Sequence, residues 1–77
     1  MVEKILGKVA AGRAVLAAGK VGAVKEAFAL AKAADALLGE GIKRREFATE
    51  EELEAARGPL LKLWFEAYAA KDARRRK

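Results

Sequence analysis

The chain has 77 residues, a net charge of +5, and neither cysteine nor histidine. A chain this short forms one folding unit, residues 1–77, with a thin core, and the missing residue types exclude disulfides and the common zinc sites. Serine, asparagine and glutamine are absent as well, and Thr49 and Tyr68 carry the only uncharged hydroxyls, so triads, thiol nucleophiles and imidazole acid–base chemistry cannot be built.

We therefore expect no enzyme, no cofactor and no metal. A carboxylate-only site would have to use Glu50, Glu51, Glu52 and Glu54, which read instead as the solvated first turn of a helix. A domain of this size needs a staple, because one small core supplies only about 3–5 kcal/mol. With disulfides and zinc excluded, self-association or assembly on a partner is what remains. The lack of Asn, Gln and Cys, the single Met and the 35% of charged residues resemble proteins of hot-living organisms.

The N-terminal stretch lacks the unbroken apolar core and the cleavage pattern of a secretion signal. The longest charge-free run, residues 14–19, falls far short of the roughly 20 residues a membrane-spanning helix requires. A location in the cytoplasm or within a virion follows as the expectation.

Nineteen alanines, many Leu, Lys, Glu and Arg, a single proline and no strand-type alternation predict an all-α fold. The first helix is predicted over residues 2–38, about 55 Å if continuous, with Gly39-Glu40-Gly41 as its glycine stop. Ile5, Val9 and Leu16 share one face, whereas Val21, Val24 and Phe28 lie about 100° further round. The stripe jumps near Gly19 and Gly22, which predicts a kink, a break or a close backbone contact there. Gly7 and Gly12 soften the front half, or let helices pack closely.

Residues 39–49 read as a connector. Thr49 followed by Glu52 is a capping box that starts a helix at about Glu50, with Ala48 and Leu53 as its apolar staple. Gly58-Pro59 interrupts that helix, and two helices, residues 50–57 and 59–74, are preferred to a single kinked one. The last helix carries Leu60, Leu61, Leu63, Trp64, Phe65 and Tyr68 around more than half of its circumference, more than one neighbouring helix can hide. At about 25 cal/mol per Å² of buried apolar area, leaving these side chains in water forgoes several kcal/mol. Leu60, Leu61, Trp64, Phe65 and Tyr68 are thus the candidate oligomer interface, in a helical hairpin or small bundle whose long N-terminal helix folds back on the shorter C-terminal ones.

Charge runs basic, acidic, basic along the chain. Residues 74–77 end it as a cationic tail, Arg74, Arg75, Arg76 and Lys77, and Lys43, Arg44 and Arg45 make a second cluster. Arg13 and Lys20 are seven apart, as are Lys25 and Lys32, so that an array of subunits would present basic tracks. Contacts of this kind neutralise phosphates without reading bases, although the same charge also serves a merely soluble surface.

A helix-turn-helix over residues 49–70 fails, because Glu54 and Arg57 stand where small or apolar residues should pack and Pro59 follows directly. The Gly-Lys pairs at 7–8 and 19–20 lack both the glycine spacing and the hydroxyl of a phosphate loop.

In outline, a long Ala/Gly-rich helix, a charged connector and an aromatic helix with a basic tail resemble small helical coat or nucleocapsid proteins of viruses. The expected function is that of a self-associating structural protein that binds nucleic acid without sequence specificity, of coat, nucleocapsid or packaging type. Two alternatives stay open: an adaptor or regulator that docks its aromatic face on a protein partner, and a basic amphipathic protein at a membrane surface, the latter ranked below nucleic acid.

Overall fold

The computed structural model describes the backbone of residues 2–75 and the side chains of residues 2–73. Three helices pack against one another: α1 (Val2–Ala18), α2 (Ala23–Lys43) and α3 (Glu50–Arg75), with no strand among the described residues. Gly12 and Arg13 of α1 meet Leu63 and Glu66 of α3, and Leu16 shares a hollow with Ala70. Phe28 of α2 meets Trp64 and Tyr68, while Val24 lies near Ala70 and Ala73. Matching positions thus rise together in α1 and α3 and oppositely in α2. The chain goes up, down and up as a rod of 45 × 16 × 16 Å.

The expected helical packing stands as a three-helix arrangement, and of the outcomes expected near Gly19 and Gly22 the break is the one found, so that the helix predicted over residues 2–38 is two helices. Gly19 (φ 63°) and Gly22 (φ 83°) are both left-handed, which reverses the chain within four residues. A side chain at either position would carry the steric penalty of that conformation. The jump in the apolar stripe marks this reversal. Val21, expected on a helix face, sits in the turn and is 96% exposed.

Gly39-Glu40-Gly41 does not stop α2. Leu38 and Gly41 are both buried, so packing of the inner face outweighs the roughly 1 kcal/mol that each helical glycine forfeits. The helix ends at Arg44 instead. The Glu46 N–H donates to the Gly41 carbonyl at 2.9 Å and the Arg45 N–H to that of Ile42 at 3.2 Å, the paired bonds of a Schellman stop. Arg45, rather than a glycine, holds its left-handed position at φ 56°.

α3 begins where the capping box places it. The Thr49 hydroxyl accepts from the Glu52 N–H at 3.2 Å, and Glu52 Oε2 accepts from the Ala48 N–H at 2.9 Å, one residue before the usual partner. Ala48 is exposed and does not act as the staple. Phe47 takes the core-facing place, packing with Leu53 against the bundle.

Pro59 lies inside α3, which corrects the expectation of two helices. Ala56, Leu60, Leu63 and Ala67 are buried on one face across the proline, so core contacts on both sides hold the helix together. Gly58 offers no Cβ to crowd the proline ring, and Ala55, whose carbonyl loses its donor, is exposed.

The core consists of Ile5, Val9, Leu38, Leu60 and Leu63 set among Ala23, Ala27, Ala31, Ala34, Ala56 and Ala67. Among the described residues only Ile5, Leu60 and Leu63 are large and fully enclosed, so the apolar burial that stabilises the fold is small. Leu60 is only 2% exposed within this core, which removes it from the predicted oligomer interface.

Two tests follow. Gly19→Ala and Gly22→Ala should each lower stability by about 1 kcal/mol although open space surrounds both positions, whereas Gly7→Ala, in open space on a helix, should raise it by about 0.5–1 kcal/mol. Thermal melts should separate the two groups, at about 4–8 °C per kcal/mol for a domain of this size; equal shifts would contradict the assignment of the turn. Pro59→Ala should raise the urea midpoint by an amount equivalent to about 1–3 kcal/mol, because it restores a helical hydrogen bond. A loss of stability would mean that the proline supports the helix rather than interrupting its ladder.

Candidate nucleic-acid interface

The inward side of α2 is fixed by its buried residues Ala23, Ala27, Ala31, Ala34, Leu38 and Gly41. The opposite side carries Lys25, Ala29, Lys32, Ala36, Gly39 and Lys43, all exposed. At about 100° per residue the three lysines fall within about 20° of one line. Their Cα atoms are spaced by about 10 and 16 Å along the helix at about 1.5 Å per residue. Glu26, Asp35 and Glu40 lie to either side of this line. Between the lysines stand only alanine and glycine, so nothing bulky keeps a rod of phosphates from approaching the ammonium groups.

The other predicted basic residues are distributed differently. Arg13 does not join this row. From α1 its Nε lies 3.2 Å from Glu66 Oε1 of α3, both side chains about half exposed, in an ion pair worth about 0–1 kcal/mol. Lys20 is exposed in the turn after α1, so it no longer shares a helix with Arg13. Arg44 lies 3.9 Å from Glu40, and Arg45 is spent on the helix stop, its side chain exposed. Arg74 and Arg75 fall in the last turn of α3 with side chains outside the described residues, and Arg76 and Lys77 lie outside them altogether. Lys43 is the residue whose place sequence reasoning missed. Its spacing of eleven from Lys32 is helical, but Gly39 and Gly41 between them carry the local signal of a helix end.

On α3, Trp64 and Tyr68 pack on α2, and only Phe65 among the aromatic residues has no ring partner among the described residues. Trp64 is half-buried against Phe28, ring centroids 5.7 Å apart, and Tyr68 meets Phe28 edge-on at 5.0 Å. Lys71 Nζ stands 5.9 Å from the centre of the Phe28 ring, within cation–π range. Such contacts fasten α2 to α3, each aromatic pair adding about 0.5–1.5 kcal/mol beyond its buried area. Phe65, at 70% exposed, turns away from the bundle, with Leu61 at 48% and Tyr68 at 54% beside it.

The acidic start of α3 is a capped and solvated turn. Glu52 holds the cap, Glu54 bonds to Arg57, and Glu50 and Glu51 are exposed. No group of three potential metal-binding side chains occurs among the described residues. No helix among them is long and apolar enough to cross a membrane. A shallow hollow of about 340 Å³ between Ile42, Phe47 and Leu53 is lined mainly by apolar atoms. No family model, no curated protein and no solved structure matches this chain.

Proposed function

We propose that the chain is a non-enzymatic assembly protein that associates with itself and binds nucleic acid through phosphate contacts, without reading sequence, in a coat, nucleocapsid or packaging role. The observation that carries this reading is the row of Lys25, Lys32 and Lys43 on a face of α2 otherwise made of alanine and glycine. Lysine is a point charge on a flexible stem, suited to neutralising phosphates at variable positions rather than to paired readout of bases. An α2 lying along the backbone would release counterions for each phosphate it neutralises. The overall charge of +5 and the further basic residues at the chain's end add to the same long-range attraction.

A second reading, a protein-interaction adaptor, is favoured by the exposure of Phe65, Tyr68 and Leu61. A fold that leaves an aromatic stripe in water presents a docking surface. It differs from the first in expecting a particle indifferent to nucleic acid at every salt concentration.

Fluorescence anisotropy of labelled double-stranded DNA across a salt series separates the two. The triple variant Lys25→Gln, Lys32→Gln, Lys43→Gln keeps helix-favouring residues at exposed positions, so its circular dichroism should match the parent. Its affinity at low salt should fall, and the slope of log K against log salt should flatten by about 2–3. A triple variant with an unchanged slope would remove α2 from the interface. A parent chain that binds no DNA at low salt would leave the adaptor reading standing.

A further inference from the structure

Lys25, Lys32 and Lys43 stand exposed on one line of α2, at steps of seven and eleven residues. Along a helix these steps are unequal, about 10 and 16 Å, the second exceeding the first by about 6 Å. The row holds this register because α2 runs unbroken through Gly39 and Gly41.

An alternation of the same size belongs to double-helical DNA. Its minor groove is about 6 Å wide and its major groove about 12 Å, and these widths exclude the phosphate ridges that wall them. Each lysine step is wider than one groove by about 4 Å, an allowance on the order of the thickness of a ridge. The flexible stem of lysine absorbs the remaining mismatch and the curvature of the duplex. Phosphates along a single strand follow one another evenly and offer no such alternation.

We infer that the partner of this face is double-stranded DNA, with α2 lying across its grooves. Lys25 and Lys32 then meet the two ridges of a minor groove, and Lys32 and Lys43 those of the adjoining major groove. Ala29 lies over the first groove, and Ala36 and Gly39 over the second. No long side chain between the lysines on this line extends toward base edges, so the contact measures grooves without reading sequence. Glu26, Asp35 and Glu40 stand about 70° or more to the side of the line, and Glu40 lies 3.9 Å from Arg44, which offsets its repulsion of the nearest ridge. The inference rests on the phosphate-binding role proposed above, and adds to it the form of the nucleic acid and the direction of the helix.

Moving the middle lysine tests the register at constant charge and composition. Lys32→Ala with Ala36→Lys sets steps of about 16 and 10 Å, the same pair in reverse, which alternating grooves accept equally. Lys32→Ala with Ala29→Lys sets steps of about 6 and 21 Å, which match neither groove. All three positions are exposed on α2, so the circular dichroism of both chains should match the parent. Fluorescence anisotropy is read on a labelled duplex and on its single strand. The chain with Lys at 36 should bind the duplex within about twofold of the parent. The chain with Lys at 29 should bind it about fivefold or more weakly, with a salt slope flatter by about 1. On the single strand the two should be alike. Equal duplex affinities of the two rearranged chains, or a parent that prefers the single strand, would overturn the placement across the grooves while leaving phosphate binding in place. A parent that binds neither would overturn both.

Discussion

The approach of α1 to α3 at Gly12 shapes the rest of the molecule. A Cβ on Gly12 would stand 2.8 Å from Leu63 Cδ2 and 3.0 Å from Cδ1, so any other residue there would have to push the Leu63 methyls aside. Leu63 is completely enclosed and fills the space a side chain on Gly12 would take. The same economy continues along α2, where alanine faces the core at positions 23, 27, 31 and 34. A seam of such small residues draws three helices into a rod only 16 Å across between Cα atoms. It leaves no interior volume for the aromatic side chains. Trp64 and Phe28 pack at the flank, and Phe65 remains outside.

Much of this was legible in the residues. The composition announced helices, and the Thr49/Glu52 pair fixed the start of α3 because a capping box is a local device that needs no tertiary partner. Gly19 and Gly22 marked the right place, since a left-handed turn demands residues without a Cβ. Glycine and proline misled wherever packing opposed their local preference. Gly39 and Gly41 continue α2 because Leu38 and Gly41 are buried, and Pro59 sits within α3 because the core face spans it. Arg45 in a left-handed cap carries no sequence signal, as the strain is set by the connector that follows it.

The candidate site was half legible for the same reason. The spacing of Lys25 and Lys32 is visible in the sequence, whereas the place of Lys43 depends on the continuation of α2 through the glycines and that of Arg13 on Glu66 of α3. Leu60 was lost to the core, while Leu61, Phe65 and Tyr68 kept the exposure expected of them.

The tight approach of α1 to α3 is most directly tested by urea unfolding of Gly12→Leu. By helix propensity alone, leucine in place of a helical glycine should stabilise the protein by about 0.8–1 kcal/mol. Close packing of α1 on Leu63 instead requires a loss of about 1–3 kcal/mol or more from overpacking, read as a lower midpoint with helices splayed and cooperativity reduced. A midpoint equal to or above that of the parent would show that α1 and α3 do not meet at Gly12, and would contradict the packing on which the exposed surfaces depend.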